Sequence, residues 1–410
     1  TGLTFVVTVG ILPLKSALMG YSDTTTWLVV VAFMIAGAVI ETGLGRRIAL
    51  LCILILGRSI TGLGYAICLA EFILGPVVPS NTARGGGILA PIVDSISRTL
   101  GSSPKHKPEK AGQYLHLVGA HANLITAAMF LTGMAANPLI SKAAFDIFEI
   151  QFDWFTWAKG GIVPGLIGLA GLPLLINYIS MPTIDSIQPI REKIQEDIQS
   201  LGPWTRQEII TACTLGVMLI LWSTKPFHGW GTTTVAFLGL VIILLTRTLT
   251  WDQLVKNHKA WDALIWLGGL LTLATGLKDL GFIGWFGNLI GNGLTGISPI
   301  MLLIALTLIY FYSMYFFSML TAHIVALVGT IFLVASGVGL NPFLVVGVMA
   351  YFSNLCGCLT NYSTGPVIIY FGNGYVQPLA WFRIGFIVSI YHLVVWLGIG
   401  SIWWKMIGWW

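Results

Sequence analysis

The chain has 410 residues, of which 56% are hydrophobic and only 9% are charged. A soluble domain carries about 25% charged residues, so 21 basic and 16 acidic side chains are too few to cover a surface of this size in water. This composition excludes a soluble enzyme, a nucleic-acid-binding protein and a disordered chain, and it predicts an all-α polytopic membrane protein. At about 20 residues per spanning helix, the chain has room for roughly ten to twelve spans. An apolar run starts next to Thr1, so we expect a further segment to precede it in the full protein.

Apolar segments follow one another along the whole chain, and many are interrupted by the 48 glycines and 17 prolines. Non-helical backbone survives at membrane depth only where protein covers it or where it lines a water-filled cavity. The interruptions therefore predict a transporter with discontinuous helices rather than a simple helical bundle. The apolar segments lie near 3–20, 25–45, 48–78, 111–140, 157–179, 208–223, 231–247, 261–290, 299–317, 340–357 and 380–409.

Three features are expected at the membrane surface. Residues 98–110 form the most basic loop, which the positive-inside rule places in the cytoplasm. In 184–203, isoleucines recur every three or four residues among charged side chains, as in an amphipathic helix that lies in the membrane interface. The tryptophans predict an aromatic belt, and four of the sixteen stand near the C-terminus: Trp403, Trp404, Trp409 and Trp410.

The sequence gives no indication of a bound metal, a cofactor or a nucleic-acid partner. The net charge of +5 is spread over the loops. The five cysteines lie in apolar surroundings and form no disulfide framework. Cys356 and Cys358 are close enough to suggest a metal pair, but no nearby His or Cys completes a tetrahedral site. We therefore predict neither a metal nor a cofactor.

The segment 79–87, Pro-Ser-Asn-Thr-Ala-Arg-Gly-Gly-Gly, carries the most chemistry. Its hydroxyl and amide groups lie between two apolar runs, where they need hydrogen-bond partners. The glycines allow a sharp turn or a close approach of the backbone. A helix that starts here would present free N–H groups and the positive end of its dipole, which suit a carboxylate. The alternative is a capped helix start after a loop.

Three short motifs recur in the same order in the two halves of the chain. An internal repeat with matched interruptions points to a binding site near the middle of the bilayer, between the repeats. We therefore predict a first repeat at 1–180, an interfacial linker at 181–207 and a second repeat at 208–410. The paired motifs are 41–44 with 274–277, 80–84 with 319–323, and 135–138 with 363–366.

Three segments are similar to motifs of the divalent anion/sodium symporter family of carboxylate transporters: PSNTARGGGILAPI (79–92), AMFLTGMAANPLI (128–140) and NYSTGPVIIYFGNGYV (361–376). They resemble most its exchanger branch, which includes plastid 2-oxoglutarate/malate translocators and bacterial citrate/succinate or tartrate/succinate antiporters. The resemblance covers essentially the whole chain. It implies two inverted repeats, each with a re-entrant hairpin and a broken helix, and a homodimer whose transport domains move as elevators against a fixed scaffold.

The resemblance also implies where these elements lie. It places the re-entrant hairpins at about 71–95 and about 311–335, and the broken helices at about 111–140 and about 345–372. The implied substrate-binding residues come from the hairpin tips and the helix breaks, and they are Ser80, Asn81, Thr82, Asn137, Thr321, Thr364, Gly365 and Pro366.

The second hairpin tip departs from the family pattern. Such proteins usually have Ser or Asn ahead of the threonine, whereas this chain has Met319 and Leu320. Thr321 therefore supplies the hydroxyl of this tip alone, unless Ser318 reaches in. We expect an asymmetric site in which the first tip holds the ligand more firmly.

Arg84 and His323 occupy equivalent positions, each two residues after the threonine of its motif. A charged side chain inside the membrane is costly, so we predict that both residues compensate the charge of the substrate. Arginine pairs with carboxylates and stays charged, whereas histidine can titrate. The alternatives are an Arg84 paired with Glu71 or Asp94, and a His323 whose hydrogen bonds are satisfied in the core.

The predicted function is exchange of C4 and C5 dicarboxylates, such as succinate, malate, fumarate and 2-oxoglutarate, without sodium. A fixed cation cannot leave with the substrate, so an empty site would stay charged and would return slowly unless reloaded. The alternative is a sodium-coupled dicarboxylate or citrate symporter. An intramembrane enzyme would need a nucleophile and a base in reach, and Ser80 with His323 or His121 has no third, orienting acid. The expected location is the bacterial cytoplasmic membrane or, alternatively, the plastid inner envelope.

Overall fold

The computed structural model describes residues 2–184, 186–281, 285 and 298–410, and this part of the chain is almost entirely helical, without a β-strand. In the first half the helices are α1 Gly2–Thr8, α2 Leu14–Ala17, α3 Thr24–Glu41, α4 Leu44–Leu56, α5 Ile60–Leu74, α6 Ala90–Thr99, α7 Gly112–Met129, α8 Asn137–Phe148, α9 Trp154–Ser180 and α10 Gln188–Leu201.

In the second half the helices are α11 Arg206–Ser223, α12 Lys225–His228, α13 Thr232–Leu245, α14 Trp251–Val255, α15 His258–Asp279, α16 Pro299–Ser313, α17 Leu320–Gly337, α18 Pro342–Leu355, α19 Gly365–Gly372, α20 Pro378–His392 and α21 Gly400–Met406. Two π-helical segments, Thr82–Leu89 and Leu393–Ile399, lead into α6 and α21. Short 3-10 turns lie at Met19–Ser22, Pro108–Lys110, Leu131–Gly133, Met314–Phe316 and Cys356–Leu359.

Seven of the described helical segments are long and apolar enough to cross a bilayer, and α5 and α13 are shorter apolar helices. This confirms the prediction of an all-α polytopic membrane protein. The prediction of roughly ten to twelve spans came from the chain length, at about 20 residues per span. The structure instead divides some runs, such as 111–140, between two helices.

The helix α7 lies at the centre of one group of helices. Every residue of α7 except Gln113 is buried, and the helix contacts α5, α9 and α18. It ends at Met129, and after the segment 130–136, which contains only a short 3-10 turn, the chain continues as α8. Likewise, α18 and its terminal 3-10 turn end at Leu359, and α19 begins at Gly365. We call 130–136 the first break and 360–364 the second break.

Two helix–loop–helix units stand beside these breaks. The first runs from α5 through a non-helical loop at 75–81 into α6, and the second runs from α16 through 317–319 into α17. These units extend further than the hairpins expected at 71–95 and 311–335, because they include the whole of the helices on either side of each loop. Each unit packs on the helix that follows the break of the opposite half: the π-helical segment 82–89 contacts α19, and α17 contacts α8.

The first pair of repeated motifs does not lie in equivalent structures. Thr42 is the C-cap of α3, and Gly43 has a left-handed φ of 77°. The chain turns here, and α4 starts in a new direction. In contrast, 274–277 lies inside α15, where a Cβ on Gly276 would be 3.1 Å from the Leu12 side chain. The second glycine therefore makes room for a packed side chain rather than for a turn.

A buried ion pair fixes the segment between the two halves. Ile190 and Ile194 of the amphipathic helix α10 pack against α4. Arg47 of α4 donates to Glu208 at 2.6 and 3.1 Å and to the carbonyls at the end of α10, those of Leu201, Gly202 and Pro203. Because these carbonyls have no intrahelical partner, Arg47 holds the linker against the helices of the first half.

The tryptophans are distributed differently from a simple belt. Trp157, Trp381, Trp396 and Trp404 are fully buried, whereas Trp410 is exposed. The Trp404 indole donates to the Gly160 carbonyl at 3.0 Å, because a buried indole N–H needs an acceptor. The prediction of an aromatic belt is therefore wrong for Trp404, because this side chain is buried and packs α21 on α9.

We expect Gly160→Ala to destabilise the protein by about 1–3 kcal/mol, the usual cost of overpacking a core. A Cβ at this position would be 2.1 Å from the Trp409 ring and 2.3 Å from the Tyr351 hydroxyl. The matched control is Gly216→Ala in α11, where the added Cβ meets nothing within 4 Å. Thermal unfolding in detergent checks the pair of variants. Equal melting temperatures for both would contradict this packing.

Candidate functional site

The tip of the first unit is held by its own polar side chains. Ser80 Oγ accepts a hydrogen bond from the Ala83 N–H at 3.1 Å, and Asn81 Oδ1 accepts one from the Thr82 N–H at 2.9 Å. These bonds satisfy N–H groups at the start of the helical segment, as N-caps do. Ser80 and Asn81 are each 6% exposed, and Thr82 is half-buried. The Ser80 hydroxyl proton remains available for a ligand.

The first tip meets the second break. Asn81 Nδ2 donates to Thr364 Oγ1 at 3.0 Å, across 283 residues of sequence. A Cβ on Gly365 would be 2.3 Å from Thr82 Oγ1, and one on Gly85 would be 3.0 Å from the Pro366 ring. The structure thus brings together Ser80, Asn81, Thr82, Thr364, Gly365 and Pro366 from the predicted set.

The second tip meets the same break from its own half of the chain. The Leu320 N–H donates to the Ser363 carbonyl at 2.8 Å, which places Thr321 close to the residue before Thr364. Thr321 is half-buried, and its hydroxyl makes no hydrogen bond to any described residue. The Leu320 side chain is buried, whereas Met319 is 53% exposed. Thr321 therefore carries the only free hydroxyl among 319–321, the two neighbours being apolar.

Asn137 lies at the start of α8, but its side chain is fully engaged. Nδ2 donates to the carbonyls of Ala127 and Phe130 at 2.9 and 3.0 Å, and Oδ1 accepts from Asn354 Nδ2 at 2.9 Å. The amide therefore ties the two sides of the first break together and links them to α18. Within the described part of the chain, none of these hydrogen bonds reaches another residue of the predicted set.

Arg84 is paired with an acid, which was the alternative to a free cation that compensates the substrate charge. Its Nε donates to Glu71 Oε2 at 2.6 Å, and both side chains are fully buried. Its remaining N–H groups reach the Thr126 hydroxyl and three carbonyls, those of Val78, Asn123 and Gly133. A guanidinium has five N–H donors, so none is left for a substrate carboxylate. Glu71 already balances the charge of Arg84. This geometry therefore does not support the prediction that Arg84 directly compensates the charge of the substrate.

His323 is also held in the core. Its Nε2 is 2.8 Å from Ser313 Oγ, and its ring centroid is 4.2 Å from that of Tyr310 and 4.9 Å from that of Phe317. The side chain is fully buried beneath the second tip. These contacts correspond to the alternative of a histidine satisfied in the core. Asp94, the other acid considered for Arg84, instead pairs with Arg98 at 2.8 Å.

A cavity of about 480 Å³ reaches the first tip from the side. Ser80 and Ala83 form one wall, and the second half of α3 with the segment 249–259 forms the other. The exposed residues around it include Glu41, Lys256 and Lys259. The cavity is large enough for a small organic anion, and it gives such an anion access to the Ser80 hydroxyl.

Sequence analysis missed two asparagines that organise the site. Asn123 of α7 donates to Glu71 at 3.0 Å and to the Asn81 carbonyl at 3.2 Å. The Oδ1 atoms of Asn123 and Asn354 are buried and accept no hydrogen bond from the described residues. A polar residue inside an apolar helix is the signal that could have identified both.

The arrangement suits an anion. The segment that starts at Thr82, the helix α17 and the helix α19 all begin where the two tips meet the second break. Each helix N-terminus carries roughly half a positive charge, so three of them supply roughly one and a half charges. The hydroxyls of Ser80, Thr82 and Thr321 can donate to carboxylate oxygens, as can those N–H groups of the helix starts that no other group engages.

Gly365→Ala is expected to abolish the activity of the site while the protein remains folded. The added Cβ would overlap the Thr82 side chain, with 2.3 Å to Oγ1 and 2.7 Å to Cγ2, and would push the first tip from the second break. Gly372→Ala, at the other end of α19, meets nothing within 4 Å and serves as the control. Ligand binding by the purified variants, measured by calorimetry, tests this. An unchanged affinity of Gly365→Ala would show that ligand binding does not depend on the contact between the first tip and the second break.

Arg84→Met is expected to destabilise the protein by about 3–5 kcal/mol, because it leaves Glu71 as an unpaired buried charge. The double variant Arg84→Met/Glu71→Met removes both charges and should regain much of that loss. Arg98→Met, which breaks the exposed pair with Asp94, should change the melting temperature little. Unfolding in detergent measures all three. A stable single variant, or a double variant without any recovery, would contradict the structural role of this pair.

Known proteins with similar sequences identify the family of this chain. The model of the family described as the sodium:sulfate symporter transmembrane region matches residues 2–410. The chain is 40% identical to the "Putative malate transporter YflS" of Bacillus subtilis, over 98% of this chain and 84% of that protein. It is 38% identical to the chloroplastic dicarboxylate transporter 1 of Spinacia oleracea, over 97% of this chain and 71% of that protein. It is 34% identical to the L-tartrate/succinate antiporter of Escherichia coli, over 95% of this chain and 80% of that protein.

The family match spans almost every residue, and the relatives are all named as transporters. The chain is thus a membrane transporter and not an enzyme, and it belongs to the sodium:sulfate symporter family.

Proposed function

We propose that this protein exchanges C4 and C5 dicarboxylates, such as succinate, malate, fumarate and 2-oxoglutarate, across a membrane by sodium-independent antiport. The observation that carries the proposal is the contact of the first tip with the second break. It places hydroxyl donors and helix N-termini of both halves of the chain around one point. No metal or cofactor takes part in the proposed cycle.

The charge of the donors supports a dianion as the substrate. Carboxylates accept hydrogen bonds from hydroxyl and N–H groups without donating any, and the site supplies these donors from Ser80, Thr82 and Thr321. Two carboxylates separated by a short carbon chain can meet one donor group at each tip. The relatives named for malate, for dicarboxylates and for tartrate and succinate transport substrates of this class.

The position of Arg84 supports sodium independence. Na⁺ binds oxygen ligands, and backbone carbonyls at a tip and at a helix break are the usual source of such ligands in transporters. Here the guanidinium donates to the Val78 carbonyl of the first tip and the Gly133 carbonyl of the first break, at 2.9 and 3.1 Å. These oxygens are therefore already engaged by a cation that is part of the chain.

The source of the positive potential supports exchange rather than one-way transport. Because Glu71 balances Arg84, the potential must come from the helix N-termini, which remain in place when the substrate leaves. An empty site would then keep unsatisfied N–H groups, and its passage along an apolar surface would be costly. A second dicarboxylate removes this cost, so the carrier returns loaded.

The packing of the helices supports an elevator movement. The two helix–loop–helix units pack on the helices that follow the breaks of the opposite half, 82–89 on α19 and α17 on α8, so the hairpins and the broken helices can move as one body. The helices α13 and α15 pack on α3, and this group faces the first tip across the cavity. We assign α3, α13 and α15 to the scaffold of a homodimer. The bacterial cytoplasmic membrane is the proposed location, and the plastid inner envelope is the alternative.

A sodium-coupled dicarboxylate or citrate symporter is the second candidate. It is favoured by the buried Oδ1 atoms of Asn123 and Asn354, which accept no hydrogen bond within the described part of the chain. Oxygen atoms of this kind are suitable ligands for Na⁺. Few oxygen atoms near the described site are free to bind Na⁺, because the neighbouring carbonyls already accept hydrogen bonds from Arg84 and from Asn137.

The proposal predicts that labelled succinate leaves preloaded proteoliposomes only when a dicarboxylate is present outside. Efflux should be equally fast in Na⁺ and in K⁺ buffers, because no mobile cation travels with the substrate. Protein-free liposomes and external sulfate or acetate serve as controls. A rate that rises with Na⁺ would establish the symporter instead, and full efflux into dicarboxylate-free buffer would refute obligatory exchange.

A further inference from the structure

A second, smaller groove lies between the end of α4 and the first half of the linker helix α10. Its volume is about 170 Å³, and it is separate from the cavity at the first tip. Its lining is polar and apolar in about equal parts, and it includes Leu54, Arg58, Ile187, Ile190, Arg191 and Ile194.

Two arginines line this groove from opposite sides. Arg58 follows α4, and Arg191 lies in the first turn of α10. Both are exposed, and neither side chain bonds or pairs with any other residue that the structure describes. None of the described lining residues is acidic. The groove thus combines two free guanidinium groups with an isoleucine-rich wall, which is the chemistry that an anion with an apolar tail would match.

The position of the groove indicates a membrane surface. Ile190 and Ile194 are buried, whereas the charged residues between them are exposed or half-exposed, so α10 has one apolar face and one polar face. The helix also contacts α6, which leads directly into the basic loop 101–110. Basic loops mark the cytoplasmic side, and the leaflet on that side carries the anionic lipids.

We propose that this groove binds the phosphate of an anionic phospholipid. The two arginines contact the phosphate oxygens in the bidentate manner typical of guanidinium groups. Leu54 and Ile187, which are partly exposed in the groove, contact the glycerol and the first carbons of the acyl chains. The bound lipid would hold the beginning of α10 on α4, at the end opposite to the contact that Arg47 and Glu208 make with its C-terminus.

The experiment measures the thermal unfolding of the purified full chain in neutral detergent during titration with phosphatidylglycerol. Phosphatidylcholine tests the need for net negative charge, and glycerol phosphate and inorganic phosphate test the need for acyl chains. The variants are Arg58→Gln, Arg191→Gln and the double variant. The control is Arg206→Gln, an exposed arginine at the start of α11 that does not line the groove.

Phosphatidylglycerol should raise the melting temperature of the wild type and of Arg206→Gln, and phosphatidylcholine should not. An arginine at a membrane surface contributes about a fivefold gain in lipid affinity, so the double variant should need about twenty-five times more lipid for the same stabilisation. Lysine at both positions should restore part of the effect. The single variants give the same comparison should the double variant fail to fold.

Three outcomes would overturn the proposal. The first is a wild type that responds equally to phosphatidylglycerol and phosphatidylcholine. The second is a double variant that responds like Arg206→Gln, which would assign the effect to general surface charge. The third is equal stabilisation by glycerol phosphate or inorganic phosphate, which would make the groove a site for free anions. None of these depends on whether the protein exchanges dicarboxylates.

Discussion

Polar backbone groups cannot remain without partners inside a bilayer, and this chain interrupts its helices in several places at membrane depth. Several of the hydrogen bonds that satisfy these interruptions come from another interruption or from the segment next to one. Thr132 of the first break donates to the Pro76 carbonyl of the first loop, and Arg84 returns a bond to the Gly133 carbonyl of the first break. The Thr364 hydroxyl of the second break accepts from Asn81. Tips and breaks are therefore connected by hydrogen bonds, and the proposed binding site lies where they meet.

The Glu71–Arg84 pair is the most costly part of this network. Each charge alone would be strongly disfavoured at zero exposure, and together they hold the first tip with further bonds to Thr126 and to three carbonyls. The pair leaves the site without a free charge of its own. Its attraction for an anion then depends on helix N-termini and hydroxyl groups, which are fixed by the backbone rather than carried by flexible side chains. A site of this kind is formed in advance of binding.

The helices around the site are joined by aromatic side chains and small residues. Trp157 donates to the Ala128 carbonyl just before the first break, and Tyr351 donates to the Trp157 carbonyl. Glycines such as Gly160 let these large rings approach the backbone of α9. Arg47 and Glu208 play the corresponding role for the linker. Rigid contacts of this type allow a group of helices to move together, because the individual helices cannot shift without separating buried polar groups.

The sequence by itself determined the membrane character, the helical class and the family, because hydrophobic composition and the motif at 79–92 are local properties of the chain. It also identified Ser80, Asn81 and Thr82 as polar groups that need partners, and the resemblance to the family added Thr364 to the predicted site. Only the tertiary structure decided which partners they have. The sequence left open whether Arg84 pairs with an acid, and the structure pairs it with Glu71, 13 residues away, while Asp94, ten residues away, pairs with Arg98. The packing of the helices likewise decided the contacts of Asn123 in α7 and Asn354 in α18. It also decided that Trp404 is buried. Contacts between residues far apart in sequence depend on how the helices meet, and no pattern within a single segment specifies that.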